Sequence, residues 1–200
     1  KSGGEFMAKA KASEPLVILP SKHDPTKPAT MIVALHPFGG TAELFADQWR
    51  DVAEEVGAIL VLPRAVRPQG TGFAWGNVGE SDVILTTALD KVKQKHKIDE
   101  KRVVLTGFSQ GGQMAFNLGI RHPLQFTGVI PVCGAYDPSY APIPLIATTS
   151  LPKFFIMIGG NDPDVESNRK AAADFNSASI KTELRVYPGV GHAFPPNRKE

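Results

Sequence analysis

Two hundred residues, 42% hydrophobic and 21% charged, describe a globular chain long enough to bury a sizeable core. The net charge of +2 contains no block of like charges, and no aromatics interleave with Lys9, Lys11, Lys22 and Lys27, so nucleic-acid binding gains no support. One cysteine, Cys133, excludes an internal disulfide framework, and no stretch approaches the roughly 20 apolar residues of a membrane span.

Residues 1–13 lack periodicity and read as a flexible leader before a single domain spanning residues 14–200. Residues 16–19 form a short strand ended by Pro20. A polar connection leads to Met31-Ile32-Val33-Ala34-Leu35, a continuous apolar run suited to a strand buried on both faces. After the turn His36-Pro37-Phe38-Gly39-Gly40, Thr41 can cap a helix with Phe45, Trp49, Val52, Ala53 and Val56 on one face, stopped by Gly57. Residues 58–63 supply another buried strand. Residues 64–79 read as a Gly-rich loop carrying Phe73 and Trp75, and Ser81 as the cap of a helix with Ile84, Leu85, Ala88, Leu89 and Val92 at helical spacing. A strand over residues 102–106 runs into Gly107-Phe108-Ser109-Gln110-Gly111-Gly112, then a helix to about Arg121, where Pro123 biases His122 out of helical geometry. Residues 128–132 are the next strand, with Cys133 in its apolar run as a small buried hydrophobe. A Pro-rich excursion over residues 135–151 carries Tyr136 and Tyr140. The strand 154–158 closes on Gly159-Gly160-Asn161-Asp162. A helix covers about residues 164–178, residues 183–187 alternate like a strand near a sheet edge, and Gly189-Val190-Gly191-His192 follows.

Strands alternating with helices, several uniformly apolar, imply an α/β fold with a mainly parallel sheet covered on both faces. Such sheets bind ligands beyond the carboxyl ends of their strands. The residues just after the strands here are the 36–40 turn, Ser109, Asp162 and His192.

Ser109 sits at a strand-to-helix junction flanked by glycines two places away. That context forces a tight turn, projects the hydroxyl from the sheet end and sets it beside the positive end of a helix. A serine hydroxyl needs a base to take its proton. Among the five histidines, His96 lies among lysines at a helix end, His122 ends a helix and His23 is in a polar loop. His36 and His192 fall at strand ends, and His192, between Gly191 and Ala193, can swing over the serine. Asp162 is the acid expected to hold the imidazole tautomer, with Asp164 better placed to start the next helix.

The order Ser109, Asp162, His192 on alternating strands and helices resembles the α/β-hydrolase superfamily. Within it, residues 107–112 with Met114-Ala115 resemble the phospholipase/carboxylesterase (acyl-protein thioesterase-like) family. The 36–40 turn and the Gly-Val-Gly-His ending are similar to polyhydroxybutyrate depolymerase-like and feruloyl-esterase-like relatives. The resemblance, over about residues 16–194, implies that the 36–40 turn is the oxyanion loop. Its donors are then the N–H of Gln110 and that of Phe38, with Gly39 as the alternative to Phe38; Pro37, which has no N–H, stands where many relatives have glycine. His36 reads as a structural ring anchoring this loop. The resemblance also implies a final helix after His192, of which Asn197-Arg198-Lys199-Glu200 is the expected start; truncation, a further tail and exchange between chains are all open.

The expected function is a serine carboxylesterase acting on small ester substrates, with no metal or organic cofactor required. Thioester or peptide hydrolysis by the same triad is the neighbouring reading. A non-catalytic hydrolase-fold binding protein is the reading from another class, which loss of a triad member would favour; all three are present. About eighteen residues separate Ala135 from the strand near Lys153, too few for a cap domain. An open cleft is therefore expected, with Phe38, Phe73, Trp75, Tyr136 and Phe194 as candidate walls, Trp75 foremost among them and Phe73 and Phe194 reading equally as wall or core. It suits short- to medium-chain acyl or aryl esters.

Overall fold

The computed structural model describes residues 2–143 and 151–196, so part of the 135–151 excursion and the start of a final helix expected at residues 197–200 lie outside the described residues. The architecture is of the α/β class, its strands mostly parallel. The chain divides into two compact units, Lys1–Val103 and Val104–Glu200.

In the first unit, α1 (Ser2–Ala12) precedes β1 (Leu16–Ile18), β2 (Ala29–Leu35), α2 (Ala42–Glu55) and β3 (Ile59–Leu62). A short hairpin of β4 (Arg67–Gln69) and β5 (Gly72–Ala74) leads to α3 (Val78–Lys95). β2 runs parallel to β3 with Val33 opposite Val61, and β1 runs antiparallel to β3 with Leu16 opposite Leu62. All four residues of β3 and the last five of β2 are buried, as expected from their unbroken apolar runs. Thr41 caps α2 through its hydroxyl, which accepts the Leu44 N–H at 3.2 Å, and Phe45, Ala46, Trp49 and Ala53 form its buried face. Val56, expected on that face, is instead the exposed C-cap residue.

Two expectations need correction here. The leader is a helix: α1 buries Phe6 and Ala10, one turn apart, and packs against α3. The cap of α3 is Asn77 and not Ser81. Asn77 and Glu80 exchange side-chain and backbone hydrogen bonds at 2.9 and 3.0 Å, a capping box. Ser81 lies inside the helix, fully buried, its hydroxyl 3.0 Å from the carbonyls of Trp75 and Asn77.

The strand β6 (Ile98–Phe108) contributes to both units. The second unit continues with α4 (Gln110–Arg121), β7 (Gly128–Val132), β8 (Lys153–Gly159), α5 (Val165–Ser177) and β9 (Thr182–Tyr187). Its strands run parallel in the order β6, β7, β8, β9, with β9 at the edge. Phe116 of α4, Phe154 of β8 and Phe175 of α5 interlock, their ring centroids 4.9–6.1 Å apart and all three buried. Each such ring contributes roughly 1.5–3 kcal/mol by leaving water. This cluster holds the two helices on the strands whose carboxyl ends carry the chemistry.

Candidate active site

Each reactive group in the second unit follows a strand. Ser109 is the single residue between the end of β6 and the start of α4, and its backbone takes φ 56° and ψ −118°. A non-glycine residue in that region stores roughly 1–3 kcal/mol of strain and persists only where its surroundings enforce it. Here the Ser109 N–H donates to the Val132 carbonyl and its carbonyl accepts the Gln113 N–H, both at 2.9 Å. The turn is so tight that a Cβ on Gly107 would fall 2.2 Å from the Gly111 carbonyl oxygen, so glycine is required there.

Asp162 follows β8 and is buried, whereas the His192 side chain, beyond β9, is 40% exposed. His192 Nδ1 lies 2.8 Å from Asp162 Oδ2, and Nε2 lies 2.9 Å from Ser109 Oγ. An Nδ1–H donating to the carboxylate leaves Nε2 as the acceptor for the serine proton. The other carboxylate oxygen, Oδ1, accepts the Asp164 N–H at 2.9 Å. Asp164 itself stands at the N-cap of α5. The acid and histidine loops are laced together by Gly160 N–H to the Tyr187 carbonyl and Asn161 N–H to the Val190 carbonyl, both 2.8 Å. The structure therefore brings Ser109, Asp162 and His192 into one hydrogen-bonded chain.

Two residues near this chain were missed as site components. The Phe108 ring, inside the elbow motif, lies 5.4 Å from the His192 ring and 5.8 Å from that of Phe194. Its place beside Ser109 in the sequence was the available signal. Cys133 was read only as a buried hydrophobe; it is buried, and its thiol also donates to the Ala193 carbonyl at 3.4 Å. Cys133, Asp162 and His192 offer three ligand-type atoms within 4.8 Å of one another. Burial, aided by the Asp162 charge, pushes the thiol up to about 11, so Cys133 is a neutral hydrogen-bond donor to the Ala193 carbonyl.

The remaining expected residues divide. Gln110 opens α4, so its N–H lies at the positive end of the helix dipole, next to Ser109. Phe194 is half-buried beside the histidine loop. Tyr136 is half-buried: its ring packs 4.9 Å from Phe175 and 5.7 Å from Phe116, its hydroxyl donates to the Ala141 carbonyl at 2.7 Å, and burial pushes its pKa up to about 12.

In the first unit, Phe38 and Phe73 are exposed, at 56% and 38%. Trp75, expected foremost among the cleft walls, is instead fully buried, and its indole N–H donates to the His36 carbonyl at 2.7 Å. A loop tryptophan needs a buried partner for its N–H, and the 36–40 turn supplies one. His36 is buried as the expected structural ring; burial lowers its pKa, and its Nδ1 lies 2.9 Å from the Pro37 carbonyl.

The dienelactone hydrolase family model matches residues 71–200. The "Probable feruloyl esterase C" of Aspergillus oryzae is 27% identical to this chain, over 91% of it and 77% of that protein. The crystal structure of esterase PE8 superposes with a TM-score of 0.75 at 19% identity, covering 92% of this chain and 93% of that one. A phospholipase/carboxylesterase from Dyadobacter fermentans gives a TM-score of 0.70 at 17% identity, over 92% and 91%. At such identities these two structures speak to the fold, an α/β-hydrolase fold.

Proposed function

The chain belongs to the dienelactone hydrolase family, and from that premise we propose that it is a serine carboxylesterase for short- to medium-chain acyl or aryl esters. The observation that carries the reading is the unbroken chain from Asp162 Oδ2 through His192 to Ser109 Oγ, with links of 2.8 and 2.9 Å. Ser109 Oγ attacks the ester carbonyl carbon as His192 Nε2 takes its proton, and Asp162 stabilises the imidazolium that forms. The tetrahedral oxyanion is held by the N–H groups of Gln110 and Phe38, each such donor lowering the barrier by roughly 3–4 kcal/mol. Phe38 is preferred to its neighbour because the Gly39 N–H already donates to the Phe73 carbonyl at 2.9 Å. Collapse of the intermediate expels the alcohol, which leaves with the proton from His192. Water, deprotonated by the same imidazole, then attacks the acyl-enzyme, and collapse releases the acid as Ser109 Oγ leaves with the proton returned by His192.

Aryl acyl groups enter the proposal through the feruloyl esterase named among the relatives and through the exposed Phe38 and Phe73. A methylene gains up to about 0.8 kcal/mol only while a wall remains to cover it. A panel of p-nitrophenyl esters of increasing chain length, with methyl ferulate alongside, tests the proposal. The expected result is kcat/KM peaking at short to medium chains, turnover of the aryl ester and no rate jump above the solubility limit. Preference for long-chain emulsions, with interfacial activation, contradicts the substrate class; no hydrolysis of any ester contradicts the activity.

A further inference from the structure

The turn that carries Phe38 is gripped at both ends by one short hairpin. At its entry, the His36 carbonyl accepts the Trp75 indole N–H at 2.7 Å, and the His36 and Trp75 rings lie 4.9 Å apart. At its exit, Gly40 pairs with Phe73 of β5 in an antiparallel bridge. The Gly39 N–H donates to the Phe73 carbonyl at 2.9 Å and the Phe73 N–H to the Gly40 carbonyl at 3.0 Å. The hairpin can press this close because Gly72 has no side chain: a Cβ there would fall 2.2 Å from the Gly39 oxygen. Between the two grips stands Phe38, exposed, preceded by a proline that fixes its own φ.

The hairpin is braced from its other side. The Arg67 guanidinium of β4 meets the Glu80 carboxylate of α3 through two hydrogen bonds, Nε to Oε2 at 2.8 Å and Nη2 to Oε1. Phe6 of α1 lies 5.0 Å from the same guanidinium. A two-stranded hairpin with three residues per strand is marginal by itself, and the three residues of β4 are exposed. Its order therefore comes from these grips rather than from a core of its own.

We propose that the hairpin of residues 67–74, with Trp75, is the positioning device of the oxyanion donor at Phe38. The inference rests on the esterase reading above. An oxyanion donor acts on charge that exists only in the transition state, and misplacing it by about 1 Å costs on the order of 100-fold in rate. Loosening either grip thus lowers kcat while leaving ground-state binding and the pH dependence of the reaction alone.

The test uses Trp75→Phe, which keeps an aromatic ring and deletes the N–H, and Gly72→Ala, which forces the hairpin away from the turn. For each, kcat, KM, the pH profile and inhibition by a trifluoromethyl ketone, whose hydrate-like adduct mimics the oxyanion, are measured on a short-chain p-nitrophenyl ester. The expected result is a fall in kcat of about 10- to 100-fold, KM within about twofold, an equal loss of ketone affinity and an unshifted pH profile. Undiminished kcat and ketone affinity in either folded variant overturns the proposal, as does a loss carried by KM or by a displaced pH profile. Should Trp75→Phe fail to fold, Gly72→Ala decides alone, since its added methyl lies at the hairpin surface contact and not in the Trp75 site. Failure of the wild-type protein to turn over esters removes the underlying reading; an active wild type with undiminished variants removes only the clamp.

Discussion

Asp162 and Asp164 stand two residues apart in one turn, and the geometry gives them different work. The Asp162 carboxylate is buried with Oδ2 on His192, while Asp164 contributes its backbone N–H to Oδ1 of the same carboxylate. Asp162→Asn substitutes an amide whose N–H₂ faces Nδ1 and favours the wrong tautomer. Turnover is expected to drop about 10⁴-fold, whereas Asp164→Asn, which keeps the backbone donor, changes it by less than about threefold. Steady-state kinetics on both variants check this, and a crippled Asp164→Asn beside a mild Asp162→Asn contradicts the assignment. At this scale the strand-end residues were legible, because a serine, an acid and a histidine recur where a parallel sheet gathers its loops. The aromatics were not. Trp75 and Tyr136 sit in segments without periodicity, and nothing local announces that one will be buried with its N–H on His36 and the other packed edge-on against Phe175.

Among the elements, the elbow from β6 to α4 leaves no room for a side chain at Gly107. A methyl at Gly107 would lie 2.2 Å from the Gly111 oxygen and 2.4 Å from its carbon, and both are backbone atoms that cannot swing aside. Gly107→Ala is expected to destabilise the fold by about 2–3 kcal/mol, a fall in Tm of roughly 4–12 °C. Gly4, on α1, has nothing within 4 Å of its would-be Cβ, so Gly4→Ala should leave Tm unchanged or raise it by removing unfolded-state entropy. Thermal melts of the two variants check the opposite signs; equal shifts would contradict the packing argument. The elbow, β2, β3 and β8 were legible as elements because a continuous apolar run between turn residues has few alternatives. The helix α1 was not, since Ser-Gly-Gly opens it and Phe6 and Ala10 provide a stripe of two residues. Its stability comes from packing on α3, and burial is not written in local propensity. The start of α3 was misjudged for a related reason: Asn77 and Ser81 are both good caps, and only the reciprocal bond to Glu80 distinguishes them.

For the whole molecule, the alternation of strands and helices was enough to reach an α/β class with a mainly parallel covered sheet, and the order of Ser109, Asp162 and His192 along it carried the resemblance to the α/β-hydrolase fold. Substrate class is a different matter. It depends on which side chains border the elbow, and of the five aromatics the sequence named, Trp75 turned inward. The Ser109–His192–Asp162 chain carries the proposal's chemical claim, a covalent acyl-enzyme at Ser109. The most direct measurement is labelling of the intact protein with a fluorophosphonate, followed by digestion and peptide mass spectrometry. The account predicts one modified residue, Ser109, with ester hydrolysis lost in proportion to labelling and no adduct in Ser109→Ala. An adduct at another residue, or full ester hydrolysis by Ser109→Ala, would contradict it.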